Sequence, residues 1–96
     1  MLQTHPLKQR VFIVGDNSLF EEGVSHLLGL EIGLQVSSIK YTNDRILMEH
    51  IAKYRPQVII LNESSLVDPL LLLERLSDIP WLVGVCIIIM RLADSI

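Results

Sequence analysis

The chain has 96 residues, of which half are apolar and a fifth are charged, and its formal net charge is −3. A chain of this length supports one hydrophobic core, and this composition is too apolar for a disordered protein. No run of Lys or Arg provides the concentrated positive field that neutralises phosphates. The segment by itself is therefore not expected to bind nucleic acid.

The sequence also favours a chain without a membrane anchor. The single Cys86 lies in an apolar run, where a thiol is typically a small buried hydrophobe, so neither a disulfide framework nor a thiolate metal site is expected. The longest apolar stretch, residues 81–90, is about half of the ~20 residues that cross a bilayer, and it predicts a buried strand. Residues 1–8 lack the features of a secretory signal and predict an N-terminal lead-in. Together these observations predict a cytoplasmic protein.

The first two elements are a buried strand and an amphipathic helix. Residues 10–14 are apolar after Arg10 and rich in β-branched types, which is typical of a strand covered on both faces. A polar turn follows, and Asn17 or Ser18 is placed to cap a helix that ends near Gly29. The predicted helix has one apolar face, formed by Phe20, Val24, Leu27 and Leu28.

The middle of the chain repeats this alternation. Residues 35–39 have mixed polarity and predict an edge strand. A second helix is expected to start near Thr42 or Asn43 and to end before Pro56, because the residue before a proline disfavours helix. Its apolar face contains Leu47, Ile51 and Tyr54. Residues 58–61 are continuously apolar and predict another buried strand.

The last third predicts one more helix and strand. Asp68 before Pro69 is typical of a helix start, and this helix should continue to about Ser77. After Pro80, residues 82–89 are dominated by Val and Ile and predict a fourth strand, followed by a loop or a helix start over residues 91–96. Strands alternating with helices predict an α/β fold, a doubly wound parallel sheet with helices on both faces.

Two stretches resemble the receiver domains of bacterial response regulators, the CheY-like superfamily of two-component signal transduction and phosphorelay. Residues 11–23 are similar to the first strand and helix of receivers at the N-terminus of transcription regulators. Residues 56–62 are similar to the strand that presents the phosphoacceptor aspartate. The resemblance implies a flavodoxin-like sheet of order 2-1-3-4 over residues 9–96, truncated to about four strands and three helices. The last strand and helix of a full receiver have no counterpart.

Receivers bind Mg²⁺ through an acid pair and the acceptor aspartate, and the same positions here have lost most of their carboxylates. Gly15 stands in place of the first acid, and only Asp16 remains of the pair. Asn62 stands at the acceptor position, and its amide is not a useful nucleophile. The resemblance therefore implies a degenerate phosphorylation pocket without catalysis or cofactor: Gly15, Asp16, Asn17, Asn62 and Glu63. Asp16 is at most a weak metal ligand.

Plainer roles compete with these. Asp16 and Asn17 suit turn and cap positions, and Asn62 suits a structural hydrogen bond. Glu63 should point away from Asn62, because neighbouring side chains alternate along a strand, unless the strand has already ended at Asn62. The three histidines are too widely separated for a metal site.

The sequence therefore predicts a non-enzymatic pseudo-receiver, a regulatory module of a bacterial signal-transduction or transcription regulator that acts by protein contacts. A phosphorylatable receiver using Asp16 and Glu63, and a small-molecule sensor using the crevice at the strand ends, remain alternatives. The expected partners are a second copy of the chain and a fused or separate output domain. An exposed last strand would favour a homodimer, as would swapping of the C-terminal segment or packing of the third helix. The strand would present Val83, Val85, Ile87 and Ile89.

Overall fold

The computed structural model describes residues 8–16, 18–63, 66, 68–82 and 84–91. These residues form a parallel four-stranded sheet of order 2-1-3-4. The elements in chain order are β1 (Gln9–Gly15), α1 (Leu19–Gly29), β2 (Leu34–Lys40), α2 (Asp44–Tyr54), β3 (Val58–Asn62), α3 (Pro69–Ser77), a 3-10 turn (Pro80–Leu82) and β4 (Cys86–Met90). The α/β class, the parallel sheet and its strand order are thus confirmed.

Each helix begins at a polar residue whose side chain accepts a backbone hydrogen bond. Ser18 caps α1, Asn43 caps α2 and Asp68 caps α3, each accepting from the amide three positions later. These contacts satisfy amides that have no partner inside the helix. Ser18 is one of the two caps predicted for α1, and the other, Asn17, lies outside the described residues.

The helices cover the sheet unequally. On one face, α2 and α3 pack over the larger core, where buried residues of the two helices meet those of β1 and β3: Phe12, Val14, Leu47, Ile51, Ile59, Leu61, Leu72 and Leu76. On the other face, α1 packs through the half-buried Val24 and Leu28 over a smaller cluster of Val11, Ile13 and Ile60. Alternating side chains of one strand therefore serve two different cores.

Contacts from β1 and β2 stabilise the C-terminal end of α2. Arg55 follows the helix in the left-handed conformation, with φ 55° and ψ 59°. Arg10 Nε donates to the carbonyl oxygens of Tyr54 and Arg55, at 3.1 and 2.8 Å. The Tyr54 hydroxyl donates to the Gln35 carbonyl oxygen at 2.9 Å, and burial raises the pKa of this hydroxyl above its usual value. These contacts fix α2 against the two strands.

The prediction for the last strand was wrong in two respects. β4 begins at Cys86, whereas Pro80–Leu82 form a 3-10 turn. Gly84 follows with φ 90°, a left-handed conformation that β-branched residues disfavour and that does not occur within a strand. The strand therefore begins only after this residue. Cys86 is exposed, not buried, because it lies on the face of β4 opposite the half-buried Ile87, as the exposed Ile88 does. Of the predicted lead-in over residues 1–8, residues 1–7 lie outside the described residues, as do residues 92–96 of the predicted ending over 91–96.

The described part of the chain contains no helix that is long and apolar enough to cross a bilayer.

Candidate functional site at the strand ends

The C-terminal ends of β1 and β3 lie side by side. Val14 is the partner of Leu61 in the parallel register, so the next residues, Gly15 and Asn62, end neighbouring strands. Both are buried, and Asp16 beyond them is exposed. The structure therefore brings together three of the residues predicted for the degenerate pocket. We call this place, formed by Gly15, Asp16 and Asn62, the strand-end site.

A fourth residue completes the strand-end site. Glu21, in the first turn of α1, is only 1% exposed, and Asn62 is 2% exposed. Asn62 Nδ2 donates to Glu21 Oε2 at 2.5 Å. The backbone N–H of Asp16 donates to the same oxygen at 3.0 Å. A buried carboxylate is stable only when hydrogen bonds replace its hydration, and these two donors provide them.

Asp16 organises the turn before α1. Its Oδ1 accepts a hydrogen bond from the Ser18 backbone N–H at 3.0 Å, as in an Asx turn. Ser18 Oγ in turn accepts from the Glu21 backbone N–H at 3.2 Å. The described contacts of the Asp16 carboxylate therefore support the plainer role in a turn. The neighbouring Asn17 lies outside the described residues.

Glu63 forms an ion pair with Arg91, a residue outside the strand-end site. Arg91 Nε, just after β4, donates to Glu63 Oε2 at 2.6 Å. The hydrogen bond and the charge of Glu63 raise the pKa of Arg91 above its usual value. β3 ends at Asn62, so the alternation of side chains along a strand does not extend to Glu63. The Glu63 carboxylate pairs with Arg91, whereas the Asn62 amide donates to Glu21.

The described residues include no group of three or more His, Cys, Asp or Glu side chains that could hold a metal ion. Asn62 can donate through its nitrogen and accept through its oxygen, but it supplies no anionic ligand and no nucleophile. The strand-end site therefore suits hydrogen bonding to a carboxylate, and in this structure that carboxylate is the chain's own Glu21.

Sequence reasoning missed Glu21. A charged residue in the first turn of a helix usually lies in solvent, and no periodicity marks it as buried. One signal was present, because Ser18 and Glu21 have the spacing of a capping box. That motif would direct the carboxylate to the Ser18 amide, but the Asp16 carboxylate accepts from that amide here. Glu21 reaches the Asp16 amide and Asn62 instead.

The predicted interaction surface on the last strand is partly covered. Val85 and Ile87 are half-buried against the larger core, and Ile89 is half-buried. Ile88, on the opposite face, is 46% exposed. Val83 lies outside the described residues. Among the described strands β4 pairs only with β3, so its outer backbone edge and Ile88 form the accessible surface. We call this surface the β4 edge.

A small cleft lies between the starts of α2 and α3, with a volume of about 190 Å³. Asp44 forms an ion pair with Arg75 and accepts a hydrogen bond from the Tyr41 hydroxyl. Leu66 and Leu71 form an apolar wall of the cleft. The cleft combines apolar walls with charged groups, although its volume is below the ~300 Å³ typical of ligand pockets.

Fold and site together define a small parallel α/β domain whose strand-end site is occupied by an internal carboxylate. Comparison of the chain with models of known protein families, with curated proteins and with solved structures gave no match in any of the three.

Proposed function

We propose that this chain is a non-catalytic pseudo-receiver, a regulatory module that acts through protein contacts without aspartyl phosphorylation. One observation carries the proposal most directly. The residue at the end of β3, where the resemblance expects a phosphoacceptor carboxylate, is the buried amide Asn62, which donates to Glu21 at 2.5 Å. The side-chain amide of asparagine is not a useful nucleophile, so an aspartyl phosphate cannot form at this position.

The arrangement of the strands supports the same proposal. The sheet order 2-1-3-4 is the one that the resemblance implies. Open parallel sheets carry their ligand sites at the C-terminal ends of the strands, next to the point where the strand order reverses. Here that point lies between β1 and β3, and Gly15, Glu21 and Asn62 fill it. A bacterial regulator with a fused or separate output domain is the setting that the resemblance implies for such a module.

A phosphorylation assay tests the proposal directly. The chain is incubated with Mg²⁺ and acetyl phosphate, and its intact mass is recorded. We expect an unchanged mass, and amide NMR spectra that do not respond to Mg²⁺ followed by beryllofluoride. A phosphoryl adduct that disappears in Glu63→Gln would instead establish the phosphorylatable alternative.

We further propose that the contacts include a second copy of the chain, through the β4 edge. A natural edge strand is usually protected by charges, prolines or bulges. β4 consists of Cys-Ile-Ile-Ile-Met and contains none of the charged or proline residues that would discourage pairing. Two copies of this strand can pair antiparallel about a two-fold axis, which gives a closed, isologous dimer. Sedimentation velocity over a range of protein concentrations tests this, and a monomer throughout would contradict it.

The α2–α3 cleft favours a second candidate function, the sensing of a small molecule. A ligand with a cationic group and a short apolar part would suit Asp68 and the leucines, because Asp44 is already paired with Arg75. A melting-temperature screen of small amines and amino acids tests this function. Stabilisation that is abolished in Asp68→Asn, which removes the charge but keeps a side chain that caps α3, would support it, and an unchanged melting temperature across the panel would contradict it.

A further inference from the structure

We propose that Gly15 and Glu21 are an interdependent pair: the chain binds its own carboxylate in the strand-end site, and the missing side chain at position 15 provides the space for it. This inference goes beyond the proposed function, since it concerns how the site is closed and does not depend on any partner.

The Glu21 carboxyl group occupies the space above Gly15. A Cβ atom built on this residue would lie closer than 3.0 Å to three atoms, and all three belong to the Glu21 carboxyl group. Real Cβ atoms essentially never approach other atoms so closely. Among the described glycines only Gly84 has a positive φ, so the backbone at Gly15 would accept alanine. The need for glycine at this position is therefore one of volume.

The Glu21 carboxylate is held in this space by hydrogen bonds. A clash with the end of a flexible surface side chain costs little, but this carboxylate is buried and accepts from both Asp16 N–H and Asn62 Nδ2. Moving it would leave the Asn62 nitrogen without this acceptor inside the protein, which is unfavourable for a buried donor. Any side chain at position 15 must therefore disturb both hydrogen bonds.

The hydrogen bonds of Glu21 connect different parts of the fold. Asp16 follows β1, Asn62 ends β3 and Glu21 belongs to the first turn of α1. One carboxylate therefore joins three elements at the strand-end site. An aspartate introduced at position 15 alone would place a second carboxylate against the first, so a charged site can return only if residues 15 and 21 change together.

A double-mutant cycle on thermal unfolding tests this proposal, with the variants Gly15→Ala, Glu21→Ala and the double variant. We expect each single change to lower Tm by about 4–8 °C or more. A shift of 4–8 °C corresponds to a loss of about 1 kcal/mol of unfolding free energy in a domain of under 100 residues. The loss of Tm in the double variant should be much smaller than the sum of the two single losses, because alanine at 15 fits once the carboxylate is gone.

Gly23→Ala is the matched control. Gly23 lies in α1, and nothing lies within 4 Å of a Cβ atom added there. Its Tm should stay unchanged or rise, because alanine favours helix. Strictly additive losses in the cycle would overturn the proposal, as would Gly15→Ala with unchanged Tm. If Gly15→Ala alone does not fold, the double variant decides: it must fold, and its failure to do so would overturn the proposal.

Discussion

The side-chain nitrogen of Asn62 lies 2.5 Å from Glu21 Oε2, and this contact joins the end of β3 to the first turn of α1. The direction of the hydrogen bond matters. An amide nitrogen donates to a carboxylate, whereas an aspartate of nearly the same shape offers only oxygen atoms. The structure therefore gives a physical reason for asparagine at this position that is independent of any resemblance to a receiver.

Asn62→Asp should destabilise the protein at neutral pH. The change replaces the donor by a second carboxyl group in a buried place, so the two groups repel unless one of them holds a proton. We expect the free energy of unfolding to fall by about 1–3 kcal/mol, measured by urea denaturation at pH 7. The loss should shrink as the pH is lowered.

The control for this prediction is Asn43→Asp. Asn43 caps α2 by accepting from the Ile46 amide at 2.9 Å, and aspartate caps helices about as well as asparagine. Its stability should therefore change little. Equal stability of the Asn62→Asp variant and the wild type would show that the Asn62–Glu21 contact does not stabilise the fold.

Ile88→Lys should weaken self-association through the β4 edge. Ile88 is 46% exposed, so a lysine there can extend into solvent, while two lysines would meet across a two-fold axis in the dimer. We expect the sedimentation coefficient to become independent of concentration. Ile32→Lys, at an 88% exposed residue before the opposite edge strand, is the control and should associate like the wild type. A dimer that survives Ile88→Lys would place the interface elsewhere.

The Tyr54 hydroxyl should make stability depend on alkaline pH. Burial raises its pKa above the usual 10.0, and the nearby Arg10 opposes part of this shift. A raised pKa means that folding favours the neutral hydroxyl. This contribution is fully present below the usual pKa and is lost as the pH rises through the raised value. The free energy of unfolding should therefore decline above about pH 10.

Tyr54→Phe tests this dependence. Below pH 9 the variant should lose about 1 kcal/mol, because the hydrogen bond to the Gln35 carbonyl is gone. At higher pH its stability should decline less steeply than that of the wild type. Tyr41→Phe serves as the control for the loss of a tyrosine elsewhere. Parallel pH profiles of wild type and Tyr54→Phe would contradict the assignment.

Leu76→Ala should show that α3 contributes to the larger core. Leu76 is fully buried, and removing its side chain costs transfer free energy and leaves a cavity. We expect a loss of about 2–5 kcal/mol, measured by urea unfolding. Leu70→Ala, in the same helix at a 65% exposed residue, should change stability by less than about 0.5 kcal/mol. Similar losses at both positions would contradict the packing of α3.

Local sequence signals were sufficient for most of the fold. Asp68 before Pro69 marked the start of α3, and Thr42 or Asn43 before an amphipathic stretch marked the start of α2, where Asn43 is the cap. Such signals are reliable because each depends on residues within one helical turn. The mixed polarity of residues 35–39 likewise indicated an edge strand, and β2 lies at the edge of the sheet.

Features that depend on distant residues could not be predicted in this way. The start of β4 depends on the bend at Gly84, and an apolar run rich in Val and Ile does not reveal it. The burial of Glu21 requires both a vacant volume over Gly15 and a donor from Asn62, which comes from another part of the chain. No pattern within one helical turn of Glu21 contains both of these conditions.

The sheet order has a consequence for how the protein folds. β1 pairs with β3, and α1, β2 and α2 lie between these strands in the sequence. The two most enclosed strands can therefore meet only after a long loop has closed, which slows folding relative to local pairing. In the folded sheet, β1 and β3 are flanked by strands on both sides. Their backbone amide protons should therefore exchange with deuterium most slowly, and those of the edge strands β2 and β4 should exchange faster.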